Sequence, residues 1–310
     1  QAEDGIRDLV RSRGLGDVYK RQRMGLGSFK ALGATYAIAK EAAKSALINE
    51  SPNKALIGKT FITASAGNHG LSLAAGARIF GASAVVYLSE TVPKKFAEKL
   101  REKGAEVVIE GKDYEASMNA ASKRAAQESW NLLSDSTWEG YSAGYDVMEG
   151  YLMMPQEAFE EIPTSPTHIF LQAGVGGLAA AVTASARSNW GSDPKIVIVE
   201  PSEAPAIMES IKARKPVYAD GKVSIMGRLD CKEPSHLALY CLAKEADFFM
   251  TLTDREVLES IEVLENYGLS TSASGGAGFA GLHRALISSE CELSSDSRVL
   301  LFLSEGKADD

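Results

Sequence analysis

His168-Ile169-Phe170-Leu171-Gln172-Ala173-Gly174-Val175-Gly176-Gly177 runs directly into Leu178-Ala179-Ala180-Ala181-Val182. An apolar run of strand length, a glycine-rich turn and an alanine-rich segment predict strand, turn and helix in that order. The glycines leave backbone N–H groups uncovered where the helix begins, and such amides together with the helix dipole form a ready cradle for a phosphate. Outward from this stretch the same alternation repeats. Upstream, 60–63, 84–88, 107–109 and 130–133 read as strands. Between them helices are expected through 70–80, from Pro93, where proline suits a first turn, and over 113–128. A further helix over 143–161 ends at Pro163-Thr164-Ser165-Pro166, the clearest break in the chain. Downstream, 196–199, 248–250 and 299–303 are strands. Strands alternating with helices predict mainly parallel sheets covered on both faces, an α/β fold.

The 310 residues, 45% of them hydrophobic and 24% charged, suit a globular protein with a sizeable core. A formal net charge of −8 without any basic stripe argues against a nucleic-acid partner. No apolar run reaches the length of a membrane span and no signal peptide is legible, so a cytoplasmic location without a membrane partner is expected. The three cysteines, Cys231, Cys241 and Cys291, lack the paired spacing of a metal or redox site, and no metal is expected. Asp17-Val18-Tyr19-Lys20-Arg21-Gln22 resembles a translated sequencing adaptor, so 1–22 are read as non-native and the native amino-terminal segment as missing.

Two further segments carry chemistry. In Gly27-Ser28-Phe29-Lys30, Ser28 is a candidate helix N-cap and Lys30 falls in the first turn. A cation there opposes the helix dipole, which favours the neutral amine needed to condense with an aldehyde. Most lysines in such a position are simply solvated charges. In Ser65-Ala66-Gly67-Asn68-His69-Gly70, small residues permit close approach to a flat ring and Asn68 offers a neutral donor. An ordinary strand–helix turn capped by Asn68 would read the same way. His69 has no carboxylate at a telling spacing and is assigned a positional role. The Gly174–Gly177 turn also suits a dinucleotide fold, with Glu200 near the acidic position, but that assignment leaves Lys30 and Asn68 without a role.

Taken in order, these segments and a carboxy-terminal strand ending at Ser304 resemble the type II pyridoxal-phosphate enzymes, the tryptophan synthase β-like family. The resemblance implies pyridoxal 5'-phosphate as cofactor, in the cleft between two three-layer α/β domains. It implies that Lys30 carries the cofactor, Asn68 bonds its 3-oxygen, Gly174, Val175, Gly176 and Gly177 hold its phosphate, and Ser304 meets its pyridine nitrogen. The domains expected are a large one from 23–58 and 163–310 and a small one from 59–162, in a homodimer.

Within the family the chain looks most like the diaminopropionate ammonia-lyases. Arg23-Met24-Gly25-Leu26-Gly27-Ser28-Phe29-Lys30, Asp135-Ser136-Thr137-Trp138-Glu139-Gly140-Tyr141, Ile198-Val199-Glu200-Pro201 and Cys231-Lys232-Glu233-Pro234 carry that likeness. It implies α,β-elimination of L-2,3-diaminopropionate to pyruvate and ammonia, with Asp135 as an acid/base group and Ser65, Ala66 and Trp138 at the substrate. A strand-end aspartate can equally cap a turn. Two positions depart from the pattern. Ala66 replaces an aspartate associated with the D-isomer, and Ser272-Ala273-Ser274-Gly275-Gly276 lacks its usual preceding glutamate. The Ser65–His69 loop is closer to threonine and serine dehydratases, the alternative activity. A non-catalytic cofactor-binding relative is the third possibility.

Overall fold

The computed structural model describes residues 23–92, 94–289 and 291–307. The adaptor-like segment 1–22 and Pro93 lie outside the described residues. The chain divides into two compact units, one containing 30–151 and the other containing 23–29 and 152–307. Among the described residues, no helix is long and apolar enough to cross a membrane.

The 30–151 unit begins with helix α1, Gly33–Ala42. It continues through β1 Thr60–Ala64, α2 Asn68–Phe80, β2 Ser83–Leu88, α3 Lys94–Glu102, β3 Glu106–Ile109, α4 Tyr114–Glu128, β4 Asn131–Leu132 and α5 Gly144–Gly150. Its four strands form a parallel sheet in the order β3-β2-β1-β4. The alternation of side chains decides which helix covers which face. Ile62, Ala64, Val85 and Tyr87 pack on Ala121 and Ala125 of α4. On the opposite face, a Cβ on Gly70 of α2 would lie 3.2 Å from Val86. Asp113 caps α4, its Oδ1 accepting from the Ala116 amide at 2.9 Å, a bond that contributes about 1 kcal/mol.

Residues 30–58, expected with the carboxy-terminal part, pack instead with 59–151. The reason lies in small residues on both sides of α1. A Cβ on Gly33 would meet the Tyr151 ring at 2.5 Å and Val147 at 2.7 Å, and one on Gly76 of α2 would meet Thr35 at 2.9 Å. Helices α2 and α5 therefore approach α1 more closely than any larger side chain would permit.

The other unit holds α6 Met153–Glu161, β5 His168–Gln172, α7 Gly177–Trp190, β6 Lys195–Pro201, α8 Ala206–Ala213, α9 His236–Glu245, β7 Phe248–Leu252, α10 Asp254–Asn266, α11 Ala277–Ser288 and β8 Val299–Leu301. Its sheet is also parallel, ordered β7-β6-β5-β8. Phe170, Val197, Val199, Met250 and Leu252 pack on Ala277, Ala280 and Leu282 of α11. Gly281 allows that helix to sit close, since a Cβ there would meet Val199 at 2.6 Å.

The single helix expected over 143–161 is two, α5 and α6, interrupted at Tyr151 and Leu152. Pro155 explains the interruption: it lacks an N–H to give to the Tyr151 carbonyl, and its ring crowds that oxygen. The last strand is also shorter than expected, β8 ending at Leu301. Beyond it the chain leaves its ladder with β5 and meets a different partner: Ser28 and Glu305 form an antiparallel bridge. The Phe29 amide donates to the Ser304 carbonyl at 3.0 Å, and the Gly306 amide to the Gly27 carbonyl at 3.1 Å.

Candidate active site

In the 30–151 unit, Lys30 lies in a 3-10 turn, Phe29–Leu32, that leads directly into α1. Ser28, expected as the N-cap, is instead buried in its bridge to Glu305. The Lys30 Nζ donates to Asp135 Oδ2 in an ion pair whose side chains are only 19% and 14% exposed. That partner opposes the neutral amine expected from the helix dipole, because an adjacent carboxylate favours the ammonium. Asp135 follows β4, where the Leu133 amide donates to the Ile62 carbonyl at 2.9 Å and carries the chain past the end of β1. Burial alone would raise the Asp135 carboxyl, but the Lys30 ammonium outweighs it and holds the group well below the usual carboxylate range.

Asn68 is the first residue of α2, with Gly67 at the cap position. The loop before it is closed by Ser65, whose hydroxyl accepts from the Gly67 amide at 3.2 Å and the Gly70 amide at 3.1 Å. Ala66 lies exposed at the tip of that loop. His69 is buried, its Nε2 hydrogen-bonded to the Leu133 carbonyl at 2.8 Å. Since a carbonyl only accepts, that nitrogen carries the proton, and no described residue partners Nδ1. Burial pushes the imidazole below its ordinary value, so it is neutral beside the ion pair. Its contact is positional, tying the start of α2 to the segment that presents Asp135.

Trp138 stacks on Tyr141 with ring centroids 4.1 Å apart, and the two residues exchange backbone hydrogen bonds of 3.2 and 3.0 Å. The Tyr141 hydroxyl accepts from the Ser134 amide at 2.8 Å and donates to the Leu132 carbonyl at 3.2 Å. Burial raises that phenol to about 12, so it stays protonated. The aromatic hairpin thus braces the backbone that leads into Asp135.

In the other unit, the glycine turn after β5 has the geometry that its sequence requires. Gly176 adopts φ +94°, and a Cβ there would meet Ile207 at 2.9 Å and Ala238 at 3.0 Å. A Cβ on Gly174 would meet the Cys231 sulfur at 3.0 Å and the Leu229 Cα at 3.1 Å. Gly176, at the cap position of α7, has no side chain to engage the first amides, which suits these donors to an anion. Two residues upstream, Gln172 shares its Nε2 among the Gly275 carbonyl at 2.9 Å, the Phe302 carbonyl at 2.8 Å and the Ser304 hydroxyl at 3.0 Å. Gln172 therefore links the glycine turn to Ser304 across the neighbouring strands β5 and β8. Ser304 is 4% exposed, and a hydroxyl that accepts from an amide keeps its own proton for another acceptor.

Two residues with a part in this arrangement escaped the sequence reading. Gln172 was detectable as a polar residue closing an otherwise apolar strand. Glu305 was not: its carboxylate accepts from the Ser272 hydroxyl, and its backbone carbonyl accepts from the Thr271 hydroxyl at 2.7 Å. The turn that lacks its own acid receives one from a residue 33 positions away. Among the described residues, no cluster of His, Cys, Asp and Glu is placed to hold a metal ion.

Each unit thus offers its own groups: the 152–307 unit an uncapped glycine turn and the Ser304 hydroxyl, the 30–151 unit an amine at the head of α1. Comparison with known proteins identifies the family. The family model described as pyridoxal-phosphate dependent enzyme matches residues 14–305. The diaminopropionate ammonia-lyase of Escherichia coli K12 is 30% identical over 93% of this chain and 79% of its own length. The L-threonine ammonia-lyase of Thermotoga maritima is 24% identical over 83% of this chain and 59% of its own. A crystal structure of the Escherichia coli diaminopropionate ammonia-lyase, in complex with D-serine, superposes with a TM-score of 0.84 at 30% identity, covering 94% of this chain and 79% of that one.

Proposed function

This chain belongs to the pyridoxal-phosphate dependent enzymes, its cofactor is pyridoxal 5'-phosphate and its reaction a carbon–nitrogen lyase elimination; from that premise we propose that its substrate is L-2,3-diaminopropionate. One water is consumed, and pyruvate and two molecules of ammonia are released. The observation that carries this reading is the Lys30–Asp135 pair. Asp135 holds a primary ammonium in a largely buried position, and the β-ammonium of diaminopropionate is the same chemical group.

Lys30 through its amine, Asn68 at the 3-oxygen, the amides of Gly174 to Gly177 at the phosphate and Ser304 at the pyridine nitrogen would hold the cofactor. When bound, the cofactor supplies an electron-withdrawing ring that stabilises the charge left at the substrate Cα. Ser304 would donate a hydrogen bond to the ring nitrogen without transferring the proton, because a hydroxyl is far too weak an acid to do so. Gln172 fixes the direction of that hydroxyl. Asp135, held as a carboxylate by its cationic neighbour, binds and orients an ammonium at the β-position. An amine bound as ammonium leaves with its proton already in place. A hydroxide leaving group needs a proton delivered, and a carboxylate has none to deliver. That difference favours diaminopropionate over serine or threonine. The loop around Ala66, which carries no acid, favours a hydroxyamino-acid dehydratase as the second reading.

The test is product release by the purified chain loaded with cofactor. Pyruvate is expected from L-2,3-diaminopropionate, and Lys30→Ala is expected to abolish both that product and the visible absorption of lysine-linked cofactor. Product from L-serine or L-threonine alone would reject the diaminopropionate assignment and leave the dehydratase.

A further inference from the structure

The loop between α8 and α9 passes directly behind the glycine turn. The Cys231 sulfur, the Leu229 Cα and the Arg228 carbonyl stand 3.0 to 3.2 Å from where a Cβ on Gly174 would be. Residues 228–231 are thus a wall for the glycine turn, and what holds the wall in place fixes the turn. The Arg228 amide donates to the Ser274 hydroxyl at 3.1 Å, and one side chain ties the wall to the rest of its loop. Lys232 Nζ donates to the Glu203 carbonyl at 2.8 Å, the Lys222 carbonyl at 2.9 Å and Asp230 Oδ1 at 2.7 Å. An ammonium has three protons to give, and here each has one oxygen. The Lys232 and Asp230 side chains are 14% and 12% exposed. The three oxygens come from separate stretches: the turn after β6, the middle of the loop and the wall itself. Two further bonds close the same arrangement, from the Lys222 amide to the Glu203 carboxylate Oε2 and from the Ala219 amide to the Lys232 carbonyl, both 2.8 Å.

We propose that Lys232 is a tethered cation: its ammonium fills an oxygen cage that a free monovalent cation could otherwise occupy, and so braces the wall behind Gly174. Two carbonyls and a carboxylate converge on one point, which is the donor set of a hard cation. Without a positive charge their dipoles and the Asp230 charge repel, and a half-buried carboxylate without a partner is strongly unfavourable. A built-in ammonium removes any need for a dissolved ion. Anchored next to Cys231 in the chain, it also couples the cage to the wall through a single peptide bond. The inference rests on the assignment of Gly174 to Gly177 to the cofactor phosphate.

The experiment compares wild type with Lys232→Met, a side chain of similar length without charge. Both are studied in choline, potassium and ammonium chloride at equal ionic strength. Cofactor affinity is titrated by visible absorption, and the thermal midpoint is recorded alongside. Wild type is expected to be indifferent to the salt. Lys232→Met in choline chloride is expected to bind cofactor about tenfold more weakly and to melt earlier, with potassium or ammonium restoring both. Affinity equal to wild type in choline chloride, or the same loss in all three salts, would overturn the proposal. A midpoint that follows the salt while affinity does not would uphold the cage and reject the phosphate assignment of the glycine turn. Should Lys232→Met not fold, Asp230→Asn keeps the ammonium and the shape but removes the one full negative charge. It is expected to weaken cofactor binding in every salt, and wild-type affinity in that variant would equally overturn the proposal.

Discussion

Asp135 is the residue whose removal separates binding an ammonium from merely occupying a turn. Asp135→Asn preserves shape and hydrogen bonding but removes the charge, so kcat/KM for L-2,3-diaminopropionate should fall by about 10²- to 10⁴-fold. Steady-state pyruvate assays check this, and an unchanged value would return Asp135 to a capping role. The same carboxyl makes a pH prediction. Its folded-state pKa is depressed, so its contribution to stability is complete above the unfolded carboxylate pKa of about 4 and is lost as pH falls through the folded value. The urea midpoints of wild type and Asp135→Asn should therefore keep a constant gap from neutrality down to about pH 4 and converge only in stronger acid. Lys30 and Asp135 could each be picked out from their local sequence, but their pairing could not. They stand 105 positions apart, and only the close packing of α1 against α2 and α5 brings them into contact. For the same reason the Glu305–Ser272 contact left no local signal.

At the level of elements, α1 depends on glycine at positions where it touches its neighbours. Gly33→Ala places a methyl group into the Tyr151 ring and should lower unfolding free energy by about 1–3 kcal/mol, measured by urea denaturation. The junction of β6 and α8 carries a second test. Glu200, next to last in β6, is almost fully buried, its two oxygens accepting from the Ile207 amide at 2.7 Å and the Met208 amide at 2.8 Å. Burial raises its carboxyl to about 8 despite those two donors. A group raised in the folded state contributes stability below its unfolded pKa and loses it as pH rises through the folded value. Wild-type stability should thus decline between about pH 5 and pH 8, and Glu200→Gln should flatten that decline in a series of urea melts. Most elements were legible because strand, turn and helix write local periodicities into the chain. The break between α5 and α6 was also written locally, in Gly150 and Pro155, but the apolar spacing of 143–161 concealed it. The division of the chain was less legible, since Pro163 to Pro166 mark a turn between α6 and β5, whereas the units part near Tyr151.

For the molecule as a whole, the assembly we propose is the homodimer that the family likeness implies. Sedimentation equilibrium is expected to give twice the chain mass, and a monomer at micromolar concentration would reject it. The tie between Ser28 and Glu305 has a consequence for how the protein is made. Residues more than 270 positions apart must meet before Phe29 is anchored beside Ser304, and contacts so distant in sequence form slowly because a very long loop has to close first. On the ribosome, both sheets can fold while Ser28, two residues before Lys30, still waits for its partner. On the proposed site, cofactor capture is expected to wait for this junction, and a nascent chain stalled before Ser304 leaves the exit tunnel should be colourless.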